Sequence, residues 1–494
     1  MEWTIAKTWS KFVYPFIFPA NPAESCQAQY NKLIEYLVRN QGEHQPWVEK
    51  AFEAHELDNM LPYVKQYLRL PSNHSRFVLD ARVVAPDDVF FFEADCESET
   101  ETIRFSMSSI ELYLFFNGVG FVSIEVRPPS SSVLSDGSPH AAAVTSSVSP
   151  AEWTVEDIER LNSRVASLSR GEIFVGPRGR RQTVGEMLKE ILSPLQNCTS
   201  CPTYIPMVDR FLPVYGAILL RAKDQNVPER DSMEAMDEEF FQFAQSHLTI
   251  LRKTFTPNNI SHFSQIHLND MEHHYMPYHN VIHTQSLDGG FVLAYDNGLR
   301  HFSGEHPPSM DSFRTNYFYM MLIPYHQRTS ILRYAMEAAD AALAETRGAM
   351  LRQLREEIYD FTSRCYFSQA SVSEERDRLY RRWQSAFNIT QMYNELKEEV
   401  HDIDNYLADV ERARERELRN ASLARDNRNM ALFSFITLVF LPISLVLQFA
   451  EASPELRAWM RPEGGFDPLI LALVLLALFG AAIFYLIARF VRRR

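Results

Sequence analysis

Apolar residues recur every three to four positions in 23–40 and again in 46–70, and this spacing predicts helices throughout 1–75. The pattern then changes to short runs rich in Val, Phe, Ile and Tyr at 76–84, 88–94, 102–117 and 119–127, which predict strands. Asn117-Gly118 separates the last two runs and predicts a hairpin turn. Residues 128–150 are rich in Ser, Pro and Ala and are expected to form a mobile loop. Helical spacing returns at 151–170, 183–194 and 231–253, and strand-like runs at 211–222, 289–297 and 316–325. From about 328 to 430 the pattern is almost wholly helical, with one break at 365–373. There is no internal repeat.

The C-terminal region is patterned differently. Residues 430–449 carry no charge, nor do 468–488. Twenty residues of helix cover about 30 Å, one hydrocarbon thickness. These runs predict two transmembrane helices, at 430–449 and 468–490, joined by an outer loop at 450–467. The sequence from Asn394 into the first run contains no Gly or Pro up to Pro442, so one long helix is expected to lead into the membrane. Arg412, Arg414, Arg416, Arg419, Arg425 and Arg428 precede the first run, and Arg489, Arg492, Arg493 and Arg494 end the chain. By the positive-inside rule both termini are cytoplasmic and the loop is periplasmic. The expected organisation is an α+β cytoplasmic domain at 1–327, a helical stalk at 328–429, the two spans with their loop, and a basic tail at 491–494. A multi-pass protein of a bacterial inner membrane follows from this reading.

Composition narrows the classes. Net charge is −14 over 494 residues, which argues against nucleic-acid binding by phosphate neutralisation. Cys26, Cys96, Cys198, Cys201 and Cys365 form an odd, scattered set that is no disulfide framework. No glycine-rich phosphate loop and no Ser-His-Asp, Cys-His or paired-carboxylate arrangement stands out, so no enzyme is expected.

On a seven-residue grid, Asn427, Ser434, Leu441 and Gln448 share one stripe of the first run, and Met430, Thr437, Ser444 and Glu451 its neighbour. Polar groups in hydrocarbon need a partner or water. The stripe therefore reads either as a helix-packing face or as a pore lined by Asn427, Ser434, Thr437, Leu441, Ser444, Gln448 and Glu451. Pro442 inside it reads as simple helix geometry or as a gating kink. Glu451, Ser453 and Glu455 would form the outer mouth.

This C-terminal region resembles the CorA family of divalent-cation channels. Phe440-Leu441-Pro442-Ile443-Ser444 is similar to the family's F-(M/L)-P-L-T segment, Pro454-Glu455-Leu456 to its loop, and Arg492-Arg493-Arg494 to its basic end. The family's Gly-Met-Asn signature is absent, and Glu451-Ala452-Ser453 stands in its place. The resemblance implies a funnel-shaped homopentamer in the lipid bilayer. It would conduct a divalent cation (magnesium, zinc, cobalt or nickel) as a transported or regulatory ion, with no covalent cofactor. Asn427 would lie at the pore entry, Leu441 at its constriction and Ser444 within it.

Other constellations admit further readings. His262, His267, His273, His274, His279 and His283 crowd one segment, and five of them (His267, His273, His274, His279 and His283) are candidate metal ligands, against a solvated polar surface. Cys198 and Cys201 form a single CxxC without a second pair. Arg178, Arg180 and Arg181 form a basic loop that could receive a small anionic ligand such as a nucleotide. Glu398, Glu399, Asp402, Asp404 and Asp409 form an acidic stretch of the stalk. Two alternatives to a constitutive channel remain open: a membrane effector opened by a small anion, and a non-conducting, membrane-anchored oligomeric interaction module.

Overall fold

The computed structural model describes residues 3–19, 24–41, 45–93, 102–129, 153–168, 173–177, 179–196, 198, 203–223, 230–253, 274–304, 306–343, 347–452 and 468–491. The chain divides into two compact units, Met1–Ile403 and Asp404–Arg494.

The first unit is organised by one mixed sheet of 13 strands among the described residues. In chain order they are β1 (Trp3–Ile17), β2 (Trp47–Glu49), β3 (His74–Leu79), β4 (Val89–Glu93), β5 (Thr102–Phe115), β6 (Val119–Arg127), β7 (Ile173–Val175), β8 (Arg181–Thr183), β9 (Ile205–Pro206), β10 (Val214–Ala222), β11 (His274–Tyr278), β12 (Val281–Ser286) and β13 (Gly289–Tyr295). The order across the sheet is β11-β12-β13-β10-β1-β6-β5-β4-β7-β8; β3 joins β5 and carries β2, and β9 joins β1. The pairing of β10 with β13 is parallel, and the other pairings are antiparallel.

Helices α1 (Cys26–Arg39), α2 (Pro62–Arg69), α3 (Val155–Ala166), α4 (Val184–Gln196) and α5 (Arg230–Lys253) interleave with these strands. Then come α6 (Pro308–Ser312), a π-helical turn (Phe313–Tyr317), α7 (Phe318–Leu343), α8 (Arg347–Cys365), α9 (Glu374–Ala386), α10 (Ile389–Ala452) and α11 (Pro468–Val491). Neighbouring residues of a strand face opposite sides, and β13 shows what covers each. Phe291 packs with Phe240, Ala244 and Leu248 of α5. At Gly290 an added Cβ would lie 2.6 Å from the Trp383 ring of α9, so only glycine lets that ring lie against the strand.

The Asn117-Gly118 turn joins β5 to β6, with Gly118 at φ +73°. α7 is pinned to it by the fully buried Arg333, which donates to Asn117 O at 2.6 Å and to Cys26 Sγ at 2.7 Å and pairs with Glu337 and Glu357. Three expectations fail in this unit. Within 46–70, where a helix is expected, the chain forms β2 and a 3-10 turn at Ala54–Leu57 and is α-helical only over Pro62–Arg69. Residues 3–17 are a strand at the centre of the sheet, not a helix. Residues 318–325 are helical, not a strand: Phe318, Tyr319, Met320, Met321, Leu322 and Ile323 are all buried, and a helix enclosed on every side loses its periodic signature. Most of the expected loop at 128–150 lies outside the described residues.

The second unit requires a larger correction. α10 is a continuous helix of 64 residues through Pro442, and α11 covers the second uncharged run. Yet among the described residues no helix is long and apolar enough to cross a membrane. Lack of charge was the basis of the expectation, and it is not sufficient: a span needs about 20 predominantly apolar residues. Over 430–449 the helix exposes Ser434, Thr437, Ser444 and Gln448. The fold with transmembrane helices at 430–449 and 468–490 is therefore not supported. The channel and ion-transport reading, the funnel arranged around those spans and the multi-pass inner-membrane placement rest on them and go with them.

Candidate functional site

The described members of the expected site lie on α10, beside β8 and in the histidine segment. In α10, Asn427, Ser434, Thr437, Leu441, Ser444 and Gln448 are exposed. Thr437 Oγ1 donates to Phe433 O and Ser444 Oγ to Leu441 O, each at 2.9 Å, so both hydroxyls are bonded within their own helix. Pro442 and Glu451 are helical, whereas Ser453 and Glu455 lie outside the described residues. Arg178 does too; Arg180 donates to Glu190 at 2.8 Å across the surface, and Arg181 opens β8. Cys198 is buried and Cys201 is outside the described residues. Burial and Asp402 raise the Glu399 carboxyl.

Of the histidine segment, His274, His279 and His283 are described. His262, His267 and His273 are outside the described residues; His274 is half-buried, His279 is 91% exposed, and His283 is buried. Among the described residues no group of three or more His, Cys, Asp or Glu is placed to hold a metal ion. His283 stacks on Tyr317 at 5.3 Å, and burial lowers it to about 3, so it is a neutral packing residue.

The same region nevertheless forms a wall of a cavity of about 810 Å³. That is ample for a small-molecule ligand. Five pieces of chain meet there: α5 with Asp237, the β11–β12 turn with Tyr278 and His279, the end of β13 and the segment after it with Tyr295 and Phe302, the π-helical turn with Phe313 and Tyr317, and the start of α9 with Glu375 and Arg376. Glu374, Glu375 and Asp377 occupy the first turn of α9, where the helix dipole favours negative charge. This places the Glu375 carboxylate at the cavity. It accepts from Tyr278 at 2.8 Å and also from Tyr317. Burial and Glu375 push the Tyr317 phenol well above its ordinary range. Arg376 lies 5.3 Å from the Tyr317 ring centre and donates to Asp58 O at 3.1 Å, so its donors are partly committed to the wall. On the opposite side Asp237 accepts from Tyr295, whose phenol is raised by burial and then by Asp237.

The cavity thus has two carboxylates among aromatic rings. Tyr278 is 54% exposed at its edge, while Phe302, Phe313 and Tyr317 are buried in its wall. Each carboxylate oxygen holding a phenol still has a lone pair to offer. Sequence reasoning found His279 and missed the rest, because Asp237, Tyr278, Tyr317 and Glu375 are far apart in sequence. Only the β11–β12 turn and the junction of α6 with α7 bring them together.

A second polar cluster is closed. Arg76 donates twice to Glu56 at 2.9 Å and once to Glu111 at 2.7 Å. Tyr113 and Lys50 complete Glu111. Burial alone would raise the Glu111 carboxyl, but Arg76, Lys11 and Lys50 together hold it well below the carboxylate range. Arg76, Glu56, Glu111 and Tyr113 are buried and Lys50 caps them from the surface, so the cluster is structural.

In comparisons with known proteins, no family model, curated protein or solved structure matches this chain.

Proposed function

We propose that this chain is a non-enzymatic recognition module that binds a small organic cation in the aromatic, acid-lined cavity. The observation that carries the reading is Glu375: a carboxylate at the start of α9, held by two phenols and facing a cavity of about 810 Å³. Carboxylates supply the charge partner. Aromatic faces attract a soft cation such as a quaternary ammonium or guanidinium group. Two carboxylates without a third ligand suit such a cation better than a bare metal ion. The raised phenols of Tyr295 and Tyr317 keep their protons, which supports binding over proton transfer. Because Glu375 belongs to the helix that leads directly into α10, occupancy would be felt at the root of the long helix.

Calorimetric titration of the full chain with tetramethylammonium and with arginine methyl ester tests this. Saturable binding of at least one probe is expected, weakened roughly ten-fold by Glu375→Gln, the equivalent of one charge-assisted contact. Absence of saturable binding by both, or equal binding by the variant, overturns it.

A specific observation favours a further role in self-association. Met430, Phe433, Phe440 and Leu441 of α10 are 63%, 70%, 64% and 54% exposed, and Phe479 and Tyr485 of α11 similarly. Large apolar side chains exposed in this number favour an interface, and a long helix gains stability by packing against others. Copies of this chain would pack through it. Sedimentation of the full chain is expected to show a discrete oligomer that Phe433→Glu dissociates; a wild-type monomer removes this role.

A further inference from the structure

The structure assigns a second binding site, for a small phosphate-bearing anion, beside the π-helical turn. The turn carries Phe313 and Tyr317 into the first cavity and Arg314 into another, of about 460 Å³. This second cavity follows the edge of β1 where β6 has ended: pairing with β6 begins at Ser10, so Ile5–Trp9 has β10 on one side and the cavity on the other. Lys7, Arg127 and Arg314 line it, with Trp9 and Trp153 as its aromatic surface.

The charge balance of this cavity points to an anion. Three cations face two carboxylates, Glu125 and Asp311. Glu125 is already matched by the buried Lys11 at 3.5 Å and accepts from Ser108 at 2.7 Å. Both guanidiniums also have donors to offer. Arg314 stands 3.5 Å from Glu125 and 3.6 Å from Asp311, and Arg127 stands 3.8 Å from Asp87. These separations give charge attraction without ordinary hydrogen-bond lengths. Among the described residues no hydrogen bond engages either guanidinium. Two planar forks with unspent donors suit the oxygens of a phosphate group. The expected anion loop at Arg180 lacks this property, since Arg180 is hydrogen-bonded to Glu190.

The test is calorimetric titration of the full chain with inorganic pyrophosphate. Saturable binding is expected, weakened roughly ten-fold by Arg127→Gln and by Arg314→Gln, the loss of one charge-assisted contact, and unchanged by Arg180→Gln. Arg127 and Arg314 are 42% and 44% exposed, so both variants should fold; melting without pyrophosphate checks this. Lys7→Gln, at an exposed position, gives an independent reading in the same direction. Absence of saturable binding by the wild type overturns the site. So does binding that survives in both arginine variants, or that Arg180→Gln abolishes. The cation titration of the first cavity is independent of these outcomes, so either site can fail alone.

Discussion

Two regions of the first unit use the same side chains in opposite ways. Around Arg76, the two carboxylates of Glu56 and Glu111 have donors on all four oxygens, and the side chains of all three are at most 6% exposed. Around Glu375, an arginine, a carboxylate and two tyrosines meet again, but beside a cavity and half-buried. Buried charge is tolerated where partners are complete and costs several kcal/mol where they are not. The closed cluster therefore holds the sheet together. The open cluster keeps lone pairs that a ligand can use. Residue type does not separate structure from recognition here; how fully the carboxylates are partnered does, since Arg76 Nε is itself left without a hydrogen bond.

The largest effect expected comes from what lies behind each cluster. His74 stacks near Tyr113 of the closed set at 5.8 Å, and His283 on Tyr317 of the open set. Burial lowers both to about 3, and it also lowers His326, stacked on Phe115 at 3.9 Å, well below its ordinary value. The unfolded chain takes up protons at these residues below about pH 6.5, while the folded chain does not. Stability is therefore full at neutral pH and is lost as pH falls from 6.5 toward 3, by ~1.4 kcal/mol per unit for each histidine. Together the three should remove roughly 5 kcal/mol between pH 7 and 5, read from urea midpoints. His283→Phe should reduce that slope by about one histidine's share. A flat profile over this window would mean that the imidazoles are not held neutral. Glu111 acts in the same direction only at lower pH, since its carboxyl titrates below the ordinary carboxylate range.

Next comes the closed cluster itself. Arg76→Leu leaves Glu56 and Glu111 buried without their main partner. A loss of about 3–5 kcal/mol is expected, because an unpaired buried charge costs that much. Equilibrium unfolding in urea measures it. A loss under about 1 kcal/mol, the worth of an exposed pair, would erase the distinction between the two clusters.

How much of this was legible in the sequence differs by element. The β5–β6 hairpin could be read from Asn117-Gly118 because the turn needs a left-handed residue, and that requirement is local. α1, α4 and α5 could be read because each buries one face only, leaving a periodic stripe. β1 could not. It is buried from Trp9 onward on both faces, and Pro15 argues against a central strand. Pro15 is tolerated because pairing with β10 stops at Phe12. The apolar run at 318–325 has no period for the same reason: enclosure on all sides removes the polar positions that would mark a helix. The uncharged C-terminal runs misled for a different reason, since absence of charge was read as membrane depth. Nothing local marked the cavity. Asp237, Tyr278, Tyr317 and Glu375 are brought together by tertiary packing of a hairpin against two helices.

The smallest stability effect is expected at Glu375, and it sharpens the comparison most. Glu375→Gln keeps an oxygen that can accept from Tyr278 or Tyr317, at a half-buried position beside a cavity. Its cost should stay under about 1 kcal/mol, the range of a single net hydrogen bond. The same change removes the negative charge that the cation would meet, so affinity should fall while the fold is kept. At Arg76 the order is reversed: the fold is lost first. Measuring unfolding and cation titration on both variants therefore gives a two-by-two pattern. If Glu375→Gln destabilised the chain as strongly as Arg76→Leu, its phenol bonds would be structural, and the cavity would be a gap beside a packed cluster instead of a binding site.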